Sequence, residues 1–258
     1  MSLSNELKET IKSELTEKLK HKLNSYDFSK KSGNPFVDVI FGKYSNIKSF
    51  IHGTATMLGS EYEIIARQIA QSNPSFVKAQ KLVLTGKISS SEKSTITDIV
   101  KNLEETGSGS DYNAEVKAIF SASNNNLKPT RITIDLYLKD KMGKEYFVEM
   151  KGPDPNKKEV RAAKEDLLNI VAIKKREVSL KDFNKKVCIV FGVYYNNTSK
   201  KYQNWKVSPL FEEGKGLLVQ EAFWDFLGGP GTYKDILIVV NKVKDEISPA
   251  IEAKLKSL

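Results

Sequence analysis

The sequence predicts an α/β fold, in which a central mixed β-sheet is flanked by helices. Residues 3–23 carry leucine or isoleucine at every fourth position, which is the spacing of an amphipathic helix. Residues 131–151 hold two short runs rich in β-branched and aromatic side chains around Gly143, the pattern of a β-hairpin. Residues 186–195 form an almost continuous apolar run, as in a buried strand. The helical spacing and the strand-like patterns occur in one chain of 258 residues, which indicates helices packed on a sheet.

The N-terminal region of the chain is predicted to be mostly helical. The stretch 106–110, Thr-Gly-Ser-Gly-Ser, offers little to pack and predicts a loop or hinge. We therefore expect a mainly helical N-terminal region, residues 1–106, that packs on a core formed by residues 107–258 as one structural unit. The helices predicted before the loop span residues 3–23, 54–71, 76–84 and 94–103.

The core is predicted to alternate strands and helices. Residues 111–121 fit either a helix or a strand. The other predicted elements are the hairpin 131–151, a helix over about 157–175, strands over 186–195 and 216–219, a short helix over 221–227, and a helix from about residue 233 to the end.

The chain is basic, with a formal net charge of +9 and a pI near 9.3. From Lys151 to Lys206 there are 14 lysine and arginine residues against 6 aspartate and glutamate residues. Such a local surplus favours a polyanionic partner, nucleic acid before membrane.

Several classes of protein are disfavoured by composition. One cysteine, Cys188, and two histidines exclude a disulfide framework or a zinc cluster of cysteine and histidine. No apolar run reaches the roughly 18 residues of a membrane span. The N-terminus is amphipathic and lacks the apolar core of a signal peptide, so a cytoplasmic protein is expected.

The hairpin carries the candidate active site. Alternation along a strand places Glu149 and Lys151 on one face of the second strand. On the first strand it leaves Asp135 opposite the face shared by Ile132, Ile134, Leu136 and Leu138. Two carboxylates hold a hard cation through oxygen, and a lysine beside them can act on an attacking water and a phosphate. The pattern therefore predicts metal-assisted hydrolysis of a phosphodiester.

A simpler interpretation is that these charges only cover the solvated face of a hairpin, in a chain that is 28% charged. The context favours the active site. The flanking residues are strongly apolar, and Gly143 suits a tight turn. After Lys151 two prolines end the strand, and Asn156 can cap the helix that follows.

The segment that runs from Asp135 to Glu149-Met150-Lys151 resembles the PD-(D/E)XK nuclease superfamily. Its continuation Gly-Pro-Asp-Pro-Asn, residues 152–156, resembles the TdeIII type of type II restriction endonuclease. Ile134 stands where the superfamily's name has proline. The resemblance implies a restriction-endonuclease-like core and Mg²⁺ as cofactor. It further implies a homodimer that cuts both strands of double-stranded DNA at a short palindrome, with GGNCC as the expected site, and a cognate DNA methyltransferase as genomic neighbour.

The resemblance also implies roles for single residues. Asp135 and Glu149 would be the metal ligands, and Lys151 would position or activate water. Many nucleases of the superfamily add a glutamate from an upstream helix, which suggests Glu61, while Glu115 is a weaker rival. The alternative for Glu61 is that it is simply a solvent-facing residue of its helix.

Basic residues around the hairpin are candidate DNA contacts. The stretch Tyr202–Lys206, which mixes basic and hydrogen-bonding groups, is a further candidate. A solvated basic surface is the alternative for each residue. The predicted DNA-binding residues are Lys157, Lys158, Arg161 and Lys164 on the helix after the hairpin, and Lys128 and Arg131 before it.

Two other functions stay open at this point. A structure-specific repair or recombination nuclease would share the active site without sequence preference. A non-catalytic nucleic-acid-binding module would bind DNA without cutting it and without a need for Mg²⁺.

Overall fold

The computed structural model describes residues 3–27, 34–198 and 201–256. The chain forms two compact units, one within residues 1–65 and 230–258 and the other within residues 66–229. The boundary expected at residue 106, between a helical N-terminal region and the core 107–258, stays a prediction. Within the described residues no helix is long and apolar enough to cross a membrane.

The helices and strands follow one another in the order of an α/β protein. The helices are α1 Asn5–Ser25, α2 Pro35–Phe41, α3 Ser45–Ser72, α4 Ser90–Thr106, α5 Tyr112–Ser121, α6 Lys157–Lys174, α7 Leu180–Lys186, α8 Glu221–Gly228 and α9 Thr232–Lys256, with a 3₁₀ turn at Gly42–Tyr44. The strands are β1 Phe76–Ser89, β2 Leu127–Asp140, β3 Glu145–Lys151, β4 Val187–Val193 and β5 Leu217–Val219.

The first unit is helical, and its α1 and α9 pack against each other. The leucine stripe of α1 faces inward, with Ile11, Leu15 and Leu23 almost inaccessible and Leu7 and Leu19 half-buried. Asp235 on α9 accepts a hydrogen bond from the Leu3 amide at 2.7 Å and pairs with Lys8 at 2.7 Å. The amphipathic first helix and the C-terminal helix are thus confirmed.

The second unit is built on a five-stranded sheet in the order β1-β2-β3-β4-β5. β2 is antiparallel to both of its neighbours, β1 and β3, whereas β3, β4 and β5 are parallel. One face of the sheet packs on α6, which contributes Val160, Leu167 and Val171 to the core. On β4, Gly192 lets the ring of Phe223 from α8 approach closely. The predicted architecture, a mixed sheet flanked by helices, is confirmed.

The predicted helix over residues 76–84 is wrong, because these residues are the start of β1. They pair with β2 from Phe76↔Asp140 to Ser89↔Leu127, so long-range pairing overrides the local preference. Leu82 and Leu84 are half-buried while Lys81, Val83 and Thr85 are exposed, which is the alternation of a strand. Residues 111–121, which fit either a helix or a strand by sequence, form α5.

A bulge in β2 changes the predicted faces of that strand. Leu82 pairs with Ile134, but Gln80 pairs with Tyr137, so β2 has one extra residue between these two pairs. Tyr137, and not Leu136, therefore joins Ile132 and Ile134 in the core cluster beneath α6. The prediction of a single apolar face from 132 to 138 is wrong for this reason, although all its residues are buried.

Glu92 joins the start of α4 to the end of α6. Its carboxylate accepts from the Ser89 amide at 2.7 Å, and the Ser89 hydroxyl accepts from the Glu92 amide at 3.0 Å. The same carboxylate, fully buried, pairs with Lys175 at 2.7 Å and Arg176 at 2.6 Å. Burial by itself raises the pKa of Glu92, but Lys175, the Ser89 N–H and Arg176 outweigh it and lower the pKa.

We expect Glu92→Gln to lower the free energy of unfolding by about 3 kcal/mol near pH 7, because Lys175 then keeps a buried charge with no carboxylate. The folded-state pKa of Glu92 lies below its ordinary 4.5, so its stabilisation is present above that pH and is lost as the pH falls through the folded pKa. Urea unfolding at neutral and at acid pH measures both effects. Glu105→Gln, an exposed site on the same helix, should change stability by less than about 0.5 kcal/mol. If the difference in free energy of unfolding between wild type and Glu92→Gln did not become smaller at acid pH, this explanation would be contradicted.

Candidate active site

The structure brings the three predicted hairpin residues together at one end of β3. Glu149 and Lys151 lie on the same side of the strand as Phe147, which belongs to the core beneath α6. The Lys151 Nζ lies 2.6 Å from the Glu149 Oε1 and 3.9 Å from the Asp135 Oδ2. All three side chains are partly buried, so their charges interact through protein more than through water.

Asp135 reaches this site because the β2–β3 ladder ends beside it. The strands pair from Lys139↔Glu145 to Leu136↔Val148, and no further pair follows. Where the next backbone pair of the ladder would lie, the Met150 amide donates to the Asp135 Oδ2 at 2.9 Å and not to a carbonyl of β2. The carboxylate thereby satisfies an otherwise unpaired backbone donor and is fixed toward Lys151. The bulge in β2 lies at Asp135 itself, between the pairs Gln80↔Tyr137 and Leu82↔Ile134, and bulges commonly re-aim a side chain.

The charged groups at the site shift the pKa values of Glu149 and Lys151. Burial, and then the negative charge of Asp135, raise the pKa of Glu149 to about 7, although Lys151 opposes the shift. Burial by itself lowers the pKa of Lys151, but the Glu149 and Asp135 carboxylates outweigh it and raise the pKa. Lys151 is therefore a firmly protonated ammonium, and it partly neutralises two carboxylates that repel each other.

The donor set fits a hard divalent cation. Within the described ranges no three histidine, cysteine, aspartate or glutamate side chains are grouped to hold a metal, so the site offers the carboxylates of Asp135 and Glu149. Mg²⁺ is commonly bound by one or two carboxylates and completes its coordination with water and substrate phosphate. A cation there would relieve the repulsion that raises the pKa of Glu149.

Two acidic residues of α6 also act on the site, and sequence reasoning missed them. Asp166 contributes to the raised pKa of Glu149, and Glu159 acts on Lys151. The two are seven residues apart, which places them on one face of the helix. That spacing is visible in the sequence, but which face of α6 meets the site depends on how the helix packs.

Comparison with known proteins identifies the family. The family model described as "Type II restriction endonuclease, HinfI" matches residues 3–244, which is most of the chain. The chain belongs to this family. The resemblance to the TdeIII type stays a prediction.

Two relatives from Herpetosiphon aurantiacus carry the same kind of name. The type II restriction enzyme HgiEI is 29% identical over 129 residues, which cover 48% of this chain and 44% of HgiEI. The type II restriction enzyme HgiBI is 24% identical over 220 residues, which cover 81% of this chain and 76% of HgiBI. The chain thus matches less than half of HgiEI and about three quarters of HgiBI.

Glu61 and Glu115, the two further glutamates suggested by the sequence, each form an ion pair with a lysine. Glu61 lies in the first unit, where its buried carboxylate pairs with Lys18 at 3.2 Å. Glu115 is buried on α5 and accepts from Lys164 at 2.6 Å and from the Ser110 hydroxyl at 2.7 Å. Metal binding by either residue stays a prediction.

The basic residues predicted to contact DNA occupy different environments. Lys157 and Arg161 both pair with Glu104, at 3.6 Å and 3.2 Å. Lys128 and Arg131 are exposed on β2. Lys128 and Lys93 both line a cavity of about 450 Å³. Lys158 is exposed too, and it has no ion pair within the described stretches of the chain.

Lys164 differs from the other predicted DNA contacts. Only 2% of it is exposed, its ammonium is held by Glu115, and it lies over the Phe211 ring. Burial lowers its pKa, although Glu115 opposes that shift. Lys164 and Arg161 are three residues apart on α6, as the sequence shows. Because α5 packs on α6, however, the Lys164 side chain lies in the interior. The structure gives Lys164 an internal ion pair in place of a surface position.

We expect Lys164→Gln to lower the free energy of unfolding by about 3 kcal/mol, because the Glu115 carboxylate is left buried without a cation. Lys158→Gln, the same change on the exposed side of the same helix, should stay within about 0.5 kcal/mol of wild type. Urea denaturation of the three proteins gives the comparison. Equal stability of the two variants would mean that the Lys164–Glu115 pair contributes nothing to folding.

Proposed function

We propose that this chain is a type II restriction endonuclease that hydrolyses phosphodiester bonds of double-stranded DNA at a short palindromic site, with Mg²⁺ as cofactor. The observation that carries the proposal is the meeting of Asp135, Glu149 and Lys151 at the divergent end of two strands, in a chain of the HinfI family. This is the arrangement for which the PD-(D/E)XK superfamily is named. Both relatives described above are named type II restriction enzymes.

Asp135 and Glu149 would hold the cation. Mg²⁺ bound there would lower the pKa of a coordinated water and neutralise charge on the phosphate. Asp135 is pre-oriented by the Met150 N–H, so little side-chain freedom is lost when a cation binds. The two carboxylates remain close without a cation because Lys151 lies between them.

Lys151 would act on the substrate. As an ammonium it can donate hydrogen bonds to the attacking water or to a phosphate oxygen and stabilise the charge that develops there. It sits two residues from Glu149 on the same strand face, which fixes its distance from the cation site. Proton transfer through Lys151 is not needed for this role.

DNA would be attracted by the basic surface of the second unit. The net charge of +9 and the exposed Lys128, Arg131 and Lys158 suit a phosphate backbone, and each such contact makes affinity fall with salt. A palindromic site calls for a two-fold protein, so we propose a homodimer. The site GGNCC and a neighbouring DNA methyltransferase complete the proposal.

The first experiment is digestion of phage-length DNA by the purified protein with Mg²⁺ and with a chelator. We expect discrete fragments that need Mg²⁺, and end sequencing then tests GGNCC. Glu149→Gln and Asp135→Asn should lower the cleavage rate at least about 100-fold, the scale of losing one electrostatic partner of a transition state. Asp182→Asn, which changes a half-exposed carboxylate on α7, is the control and should cut like wild type.

The outcomes separate the competing functions. Because burial and Asp135 already raise the pKa of Glu149 to about 7, Glu149→Gln removes a repulsion and should keep the protein folded. If Glu149→Gln is folded and does not cut, the variant has lost the hydrolysis step itself. A smear that disappears in Glu149→Gln would indicate a nuclease without sequence preference. DNA binding with no cutting by wild type would leave a non-catalytic binding module.

A further inference from the structure

The segment Tyr202–Lys206 is fastened to the loop that directly follows the active-site strand. The Tyr202 hydroxyl donates to the Pro153 carbonyl at 2.9 Å, and the Asn204 side-chain amide donates to the same carbonyl at 3.1 Å. Lys206 pairs with the Asp154 carboxylate and donates to the Pro155 carbonyl at 3.2 Å. Three side chains of one segment thus bind three successive residues of the other.

This fastening places the segment close to where a phosphate would react. Pro153 is two residues beyond Lys151, so their Cα atoms are at most about 7.6 Å apart. Successive bases of a DNA strand are spaced by about 3.4 Å. This chain distance allows the segment to reach base pairs that neighbour a phosphate held at Asp135 and Glu149.

Side chains of the segment alternate between inward and outward positions. Tyr202 is buried and Asn204 half-buried, and both bind the Pro153 carbonyl. Gln203 and Trp205 point outward, and Trp205 is 72% exposed. They border a cavity of about 690 Å³.

Trp205 is largely exposed, although the Lys206 ammonium lies 5.9 Å from the centroid of its ring. Tryptophan is enriched at binding interfaces, because its large ring combines much apolar area with a polar N–H. The adjoining Gln203 adds a carboxamide, which can donate and accept at once. No partner of the Gln203 side chain occurs within the described residues.

We propose that Gln203 and Trp205 form a DNA-recognition site that sets the sequence specificity of the proposed endonuclease, on which this inference rests. The Gln203 carboxamide would pair with a base edge that offers one donor and one acceptor, as adenine does in the major groove. Trp205 would pack on the sugar-phosphate backbone beside the scissile phosphate, a contact that does not depend on the base. Tyr202, Asn204 and Lys206 hold the backbone that carries both side chains.

The test compares three variants with wild type on short duplexes. Gln203→Ala and Trp205→Ala remove the proposed contacts. Met142→Ala is the control, since Met142 is 95% exposed in the turn that precedes β3, at the opposite end of that strand from Lys151. The substrates are the duplex identified by end sequencing of wild-type fragments and duplexes that each change one of its base pairs. kcat/KM is measured with Mg²⁺, and DNA affinity is measured without it.

We expect Gln203→Ala to lower kcat/KM on the cognate duplex by about 10- to 100-fold and to lose discrimination at one base pair alone. Trp205→Ala should weaken affinity by about 10-fold on every duplex, with the preference for sequence kept. Met142→Ala should match wild type. Thermal unfolding of each variant checks that the fold is retained, as expected for exposed positions.

Other results overturn the inference. Variants that match Met142→Ala, while wild type gives discrete fragments, would leave the proposed function intact and remove Gln203 and Trp205 from recognition. A Trp205→Ala protein with unchanged DNA affinity but altered mass in sedimentation would assign Trp205 to a protein contact instead. A wild type that cuts no DNA removes the proposed function and this inference with it.

Discussion

The hydrogen bond from the Met150 amide to the Asp135 carboxylate is the contact on which the candidate active site depends. It replaces a backbone partner where β2 and β3 separate, and so it belongs to the sheet as well as to the site. The bulge in β2 lies at Asp135, where such an irregularity can re-aim a side chain or end the pairing of strands. Strand geometry and carboxylate placement are therefore one feature of the molecule.

The helix that follows extends this arrangement. α6 begins with a capping box at Asn156, five residues after Lys151, and buries one face on the sheet. Its acidic residues Glu159 and Asp166 act on the site, while beyond its end Lys175 is held by Glu92. A site whose side chains come from paired strands and a doubly anchored helix keeps its geometry better than one built on loops.

Local patterns in the sequence were enough to predict the hairpin, the capped helix after it and the three residues that meet there. Alternation and turn chemistry act over a few residues, so the chain itself displays them. The strand character of residues 76–84, the bulge beside Asp135 and the burial of Lys164 could not be predicted in this way. Each depends on a partner distant in sequence: β2 for β1, β1 for the bulge, and Glu115 for Lys164.

The outer strands of the sheet have a bearing on solubility. β1 is an edge strand, and it carries Lys78, Lys81 and Lys87 together with two irregularities in its pairing with β2. β5, at the other edge, is only three residues long. Charged or very short edges resist the addition of a strand from a neighbouring molecule. At the high concentrations reached during overexpression, this sheet should therefore not polymerise edge to edge, although it is open on both sides.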